Sequence, residues 1–210
     1  MTIENTVVSV LMGLGHIRAA YPLKDISDKD ILIYGSKRVT PRKERKIWKR
    51  LKKIYYFVSR AGGIPLIGKY ILAPMMAMQR IEPFYPVKDQ SAPNTAVKYL
   101  HHQIKRKGLC SHLIETVKEK DTRMVHTFYA TAIALDLGGN HVHDNYLLIC
   151  DADFNRVWVP PNPKSTNIKY LAPCTQVKMR LLTYGVPEEN IYLTGFPLPK
   201  ENIGSREDLE

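Results

Sequence analysis

At 210 residues, the chain is long enough for one α/β domain with a full core and too short for two large ones. With 44% apolar and 24% charged residues it is too apolar for wholesale disorder. The net charge of +11 suggests a nucleic-acid protein until it is mapped: residues 37–60 hold eleven Lys or Arg against the single acid Glu44, so +10 comes from 24 residues and +1 from the other 186. Cys110, Cys150 and Cys174 are widely separated and form no CxxC pair, which argues against a disulfide framework or zinc ribbon and for a reducing compartment. Residues 1–6 lack a basic leader, and the apolar run 7–12 is too short for an ordinary signal peptide. No stretch offers the roughly 18 to 20 uninterrupted apolar residues of a spanning helix.

The first apolar run, Val7-Val8-Ser9-Val10-Leu11-Met12, reads as a strand closed by Gly13-Leu14-Gly15, and residues 16–24 as a helix opening from that turn. Ile31-Leu32-Ile33-Tyr34 supplies a second strand, so residues 6–36 form a β-α-β unit suited to a parallel sheet. Over residues 42–59, Ile47, Trp48, Leu51, Ile54, Tyr55 and Val58 fall at helical spacing with Lys and Arg opposite, a basic amphipathic helix. Gly62-Gly63-Ile64-Pro65 breaks it, a Met-rich segment follows over 71–78, and Pro83, Pro86 and Pro93 punctuate a loop. Residues 37–93 are therefore read as an elaboration on the sheet. Beyond them come a helix capped by Asn94 or Thr95 and ended by Gly108, a helix over 112–118, and a strand over 124–129. A helix over 130–137, a strand over 145–150 ending at Asp151, a short strand at 170–172, a helix over 175–184 and a strand at 191–193 complete the chain. The fold class is α/β: a Rossmann-like parallel sheet with helices on both faces, built from residues 1–36 and 94–200, with 201–210 a tail or the start of a linker.

The Gly13-Leu14-Gly15-His16 turn falls where a parallel sheet gathers ligand groups, beyond the carboxyl end of a strand and at a helix start that favours an anion or a hydroxyl. Dinucleotide binding is disfavoured, because Arg18 stands where a third small residue is needed and Tyr34-Gly35-Ser36-Lys37 offers no acid. Asp151-Ala152-Asp153 after an apolar strand resembles a metal-diphosphate motif, but so short a pattern recurs by chance. His141-Val142-His143-Asp144 has no third ligand at a known spacing and reads as a solvated loop. His101, His102 and His112 read as ordinary helix residues.

The glycine turn ending in His16 and opening a helix with Arg18 and Ala19 resembles the first loop of the lipid-acceptor glycosyltransferases of two-lobed GT-B fold. These are the diacylglycerol galactosyl- and glucosyltransferases and the cell-wall enzyme that adds N-acetylglucosamine to lipid I. The final stretch is similar to the end of the N-terminal domain in the diacylglycerol group: Asp151 after its strand, Val157-Trp158-Val159, Lys169-Tyr170-Leu171-Ala172, Gly185-Val186-Pro187, Asn190-Ile191 and Thr194-Gly195-Phe196-Pro197-Leu198. Val125-His126-Thr127-Phe128 resembles the family's middle strand and loop. The resemblance covers residues 6–35 and about 122–200; the first loop has fewer glycines than the family usually shows.

The resemblance implies the acceptor-side half of a glycosyltransferase, with the donor-binding half lying beyond residue 210 and this portion inactive alone. It implies inverting transfer without a covalent intermediate, from a nucleotide sugar to a lipid-linked or other hydroxyl acceptor, with no cofactor and no metal. His16 is the expected base; Gly13, Leu14, Gly15, His126, Thr127, Phe128 and Asp151 are the expected substrate contacts. Separately, the basic helix is read as docking on an anionic membrane through Lys46, Trp48, Lys49, Arg50, Lys52, Lys53 and Tyr56, since each Lys or Arg near such a surface is worth about 1 kcal/mol. The expected location is cytoplasmic, peripheral at the inner face of a membrane. A non-catalytic acceptor- or membrane-binding module is the alternative reading, and a basic nucleic-acid-associated protein, for which no motif is present, a second.

Overall fold

The computed structural model describes residues 3–61, 80–86, 88–118, 121–138 and 144–202. Six strands, β1 (Glu4–Val10), β2 (Leu32–Tyr34), β3 (Thr122–His126), β4 (Asp144–Leu148), β5 (Ile168–Ala172) and β6 (Ile191–Leu193), form one sheet in the order β2-β1-β3-β4-β5-β6. Every pairing is parallel, with Val8 against Leu32 on one side of β1 and against His126 on the other. The helices are α1 (Gly15–Ala20), continued by a 3-10 turn at Tyr21–Ile26, then α2 (Arg42–Ala61), α3 (Thr95–Lys107), α4 (Ser111–Val117), α5 (Tyr129–Gly138) and α6 (Thr175–Thr183). The architecture is a Rossmann-like α/β fold.

Side-chain alternation sorts the strands onto two faces. Val8, Val10, Met124, Leu147 and Tyr170 enter the main core with Trp48, Leu100, Leu113, Ile133 and Leu181 from α2 to α6, while Val7 and Val125 turn the other way to meet Ala20, Leu23 and Ile31. Strands buried on both faces read as continuous apolar runs, which is why residues 7–10 were legible as a parallel strand. Helix α5 is buried along Ala130 to Leu135 and so carries no polar stripe. Helix α3 starts where Asn94 Oδ1 accepts the Val97 N–H at 3.0 Å and ends in a basic last turn before Gly108.

The basic helix is not an appendage with a core of its own. Trp48 is 3% exposed inside the main core, with Ile47 and Leu51 packed against it. Glu44, also buried, accepts from Trp48 Nε1 (3.0 Å), Ser111 Oγ (3.3 Å) and the His112 N–H (2.9 Å), tying α2 to the start of α4. The segments around Glu82 and Ser91 are held by two buried guanidinium groups. Arg156 donates to the carbonyls of Ser91 (2.6 Å), Val159 (2.6 Å) and Pro160 (3.0 Å). Arg180 donates to Asp153 and to the Glu82 carbonyl and lies 3.8 Å from the Phe84 ring centroid. The Met-rich residues 71–78 and the 141–143 part of the His-Val-His-Asp run lie outside the described residues. Asp144 pairs with Arg123 and Lys169.

The connections around β1 position the site. The chain leaves β1 for β2 through α1 on one face, then returns past β1 to β3 through α2, α3 and α4 on the other. Where two connections part in this way, a crevice opens at the carboxyl ends of the strands.

Candidate functional site

A cleft of about 1170 Å³ occupies that crevice, at the tips of β1, β3 and β4. At the β1 tip the backbone turns through Gly13, whose φ of +142° is one that L side chains rarely adopt. The Leu14 carbonyl takes the Arg18 N–H at 2.9 Å, starting α1 with His16 in its first turn. Thr127, just past β3, donates its hydroxyl to the His16 carbonyl at 2.9 Å, and its Oγ1 lies 3.1 Å from Ser9 Oγ, so the β1 and β3 tips are bonded together under the turn.

The His16 ring is half-buried among groups from three strand ends. Its Nδ1 lies 3.4 Å from Cys150 Sγ, beyond β4. It packs against Phe128 in a T-shaped pair at 4.8 Å between centroids, and Trp158 stands at 6.1 Å. Burial lowers the His16 pKa below 6.5 and outweighs the opposing pull of the Asp151 charge and the Thr127 carbonyl. The ring is therefore neutral at neutral pH. Burial, with the Asp151 charge, pushes the Cys150 thiol up to about 12. Most of the remaining wall is apolar or aromatic, including Trp48, Leu51, Tyr55, Leu100 and Tyr129. At the mouth, Leu14, Tyr21, Ile54, Tyr55 and Tyr56 are exposed.

Of the residues expected from sequence, Gly13, Leu14, Gly15, His16, Phe128 and Asp151 all line this cleft. His126 and Thr127 do not. His126 has the strand parity of Met124, so its fully buried ring points beneath α5, where Nδ1 lies 2.9 Å from Thr131 Oγ1 and Nε2 meets no partner among the described residues. Thr127 is fully buried and spends its hydroxyl on the β1 tip, which makes it a positioning group. Trp48 is corrected as a membrane contact: its indole is sealed in the core with its N–H on Glu44, and the part of it that reaches the cleft belongs to the wall. Lys46, Lys49, Arg50, Lys53 and Tyr56 are exposed on α2, and Lys52 is half-buried with Nζ 5.6 Å from the Tyr56 ring centroid. Among the described residues, no helix is long and apolar enough to cross a membrane.

Cys150, Tyr99, Gln103, Asn155 and Trp158 also line the cleft and escaped the sequence reading as site residues. Cys150 carried a signal, since it immediately follows an apolar strand, but its neighbour Asp151 drew the attention. Asp153, its partner in the Asp-x-Asp pattern, is instead held by Arg180, whose Nε and Nη2 donate to Oδ1 and Oδ2 at 2.9 and 3.0 Å. That pairing keeps the Asp153 carboxyl below its usual range despite the opposing effect of burial. Phe196, Pro197 and Leu198 approach from the C-terminal side and close one wall. No protein-family model, curated protein or solved structure matches the chain.

Proposed function

We propose that this chain is the acceptor-side lobe of an inverting glycosyltransferase, which moves a sugar from a nucleotide sugar to the hydroxyl of a lipid-linked acceptor at an anionic membrane surface. The observation that carries the reading is one imidazole and one carboxylate, His16 and Asp151, at the strand tips of a cleft with largely apolar and aromatic walls. Transfer requires an acceptor hydroxyl to be held and to lose its proton while it attacks the anomeric carbon. A neutral imidazole beside a carboxylate supplies both capacities. An apolar wall and an exposed apolar rim suit an acceptor whose hydroxyl is joined to hydrocarbon, and would not be needed for a sugar or a free nucleotide.

The basic face of α2 supports the membrane part. Lys46, Lys49, Arg50 and Lys53 project from the helix that also supplies Ile54, Tyr55 and Tyr56 to the rim, so one element carries charge for an anionic surface and apolar groups for its interface. A sugar-transfer assay tests the whole: a panel of labelled nucleotide sugars, lipid acceptors in anionic vesicles, and the chain joined to a donor-binding lobe. His16→Ala is expected to reduce turnover about 10²-fold. A loss below threefold, or no transfer with any nucleotide sugar, overturns the reading. In vesicle flotation, equal binding to neutral and anionic lipid overturns the electrostatic docking.

A further inference from the structure

We infer that Cys150 is a positioning residue for His16: its thiol donates to Nδ1 and holds the ring in the tautomer whose proton sits on Nε2, so His16 meets a ligand as a neutral hydrogen-bond donor and Asp151 takes the proton. The catalytic half of this inference rests on the glycosyl-transfer reading. The tautomer does not.

The contact at issue is Cys150 Sγ to His16 Nδ1 at 3.4 Å. It has two neutral forms, S–H donating to nitrogen or N–H donating to sulfur, and the neighbouring groups choose between them. Cys150 is a protonated thiol at neutral pH, which rules out a thiolate paired with imidazolium. The ring is itself neutral and carries one proton for its two nitrogens. A thiol is a weak donor and a weak acceptor, and an unprotonated imidazole nitrogen is a good acceptor for its proton. With the thiol proton on Nδ1, the ring proton stays on Nε2, free for a ligand oxygen; with the ring proton on Nδ1, the sulfur would accept and the thiol's own proton would go unused. Packing against Phe128 and the bond from Thr127 to the His16 carbonyl hold the ring in this relation.

The expected base is thereby reassigned. With Nδ1 engaged and Nε2 protonated, the imidazole has no lone pair left for the acceptor, and Asp151 is the carboxylate lining the same cleft. In the transfer step the acceptor oxygen, held by Nε2–H, bonds to the anomeric carbon as its proton passes to a carboxylate oxygen of Asp151. The bond from that carbon to the diphosphate oxygen breaks, and its electron pair leaves with the nucleoside diphosphate.

Long-range ¹H–¹⁵N correlation spectra of the ¹⁵N-labelled chain at neutral pH test the tautomer, with His16 assigned by its absence in His16→Gln. The expected spectrum has a pyridine-like Nδ1 and a pyrrole-like Nε2. Cys150→Ser keeps that pattern, because a hydroxyl donates from the same point, and Cys150→Ala moves toward a mixture of tautomers. A pyrrole-like Nδ1 in the unsubstituted chain, or a Cys150→Ala spectrum that does not change, overturns the inference without touching the question of sugar transfer. With a donor-binding lobe attached, Asp151→Asn is expected to lose turnover about 10²-fold, and His16→Gln, which keeps an N–H, to retain more activity than His16→Ala. Near-normal turnover in Asp151→Asn, with equal losses in the two His16 variants, overturns the proton assignment.

Discussion

Around the cleft, polar groups are few and at least partly exposed, and large apolar side chains such as Leu14, Tyr21 and Tyr55 stand open to solvent. Beneath α4, α5 and the segment around Ser91 the arrangement is reversed: Glu44, Arg156, Arg180 and His126 are buried, and apart from His126 Nε2 their polar atoms are bonded within the protein. A buried polar group saturated by its own chain has nothing to offer a ligand, so its removal is expected to cost stability. A half-exposed one in an apolar cleft is cheap to remove from the fold, so its loss is expected in activity. Substitutions on the two sides should therefore separate cleanly.

The largest effect is expected from His126. Burial lowers its pKa to about 3, from about 6.5 when unfolded, so the unfolded chain takes up the proton first as the pH falls. The stability associated with the neutral ring is fully present above pH 6.5 and is lost progressively toward pH 3, by as much as about 4 kcal/mol. Asp153 and Glu188, whose pKa values are lowered by their cationic partners, weaken the fold in the same direction on acidification, so the comparison must be with a variant. Urea midpoints of His126→Asn are expected to be lower than those of the unsubstituted chain at pH 7 but to fall less steeply between pH 6.5 and 4. Parallel slopes would mean that this ring is not the buried neutral group described. Its counterpart in the cleft, His16→Ala, is expected to change turnover far more than stability.

Arg156 comes next. Among the described residues no carboxylate bonds its guanidinium, whose four donated hydrogen bonds all end on the carbonyls of Ser91, Val159 and Pro160, and burial lowers its pKa. Arg156→Ala strands the Ser91, Val159 and Pro160 carbonyls and is expected to cost about 3 kcal/mol in urea unfolding. Glu44→Ala follows at about 2 kcal/mol, since it leaves the Trp48 indole N–H, the Ser111 hydroxyl and the His112 amide without their acceptor. If either variant unfolds at the same urea concentration as the unsubstituted chain, the saturated side is less essential to the fold than its bonding implies.

What the sequence disclosed follows the same division. Strands and helices were legible because β1 and β4 are apolar runs bounded by glycine or acid, and α2 and α3 have clear helical spacing. The strand expected over 124–129 runs three residues past the end of β3, and the helix after it starts one residue late, because Thr127, Phe128 and Tyr129 are good strand formers that a tertiary bond from Thr127 to His16 pulls into a turn. The cleft was found through Gly13, Gly15 and His16, since a glycine turn has a local signature. The face that His126 takes was not legible, because nearness to a strand end says nothing of it; parity with Met124 decides that. Glu44 passed unnoticed as the one acid among eleven bases, although its position four residues before Trp48 on a helix puts the two side chains together. Cys150 required contacts across three strands, which no local pattern encodes.

The smallest effect, and the most local, is expected at Gly185. It follows α6 with φ +85°, its N–H on the Leu182 carbonyl at 2.9 Å and the next N–H, of Val186, on the Leu181 carbonyl at 3.1 Å, a left-handed helix stop. An added Cβ would fall 2.9 Å from Ser91 Cβ and 3.2 Å from Pro163 Cγ, so Gly185→Ala meets both backbone strain and a collision with the segment that Arg156 holds. The strain alone is worth about 1 kcal/mol, and Ser91 must move as well. A cost of about 1 to 2 kcal/mol corresponds to a fall in Tm of roughly 2 to 8 °C for a domain of this size. Combining Gly185→Ala with Arg156→Ala should cost less than the sum of the two, because a segment already released from the guanidinium can give way to the methyl. Strict additivity would show that Ser91 is fixed by something other than Arg156, and that the polar anchoring of residues 80–92 is not what shapes this side of the molecule.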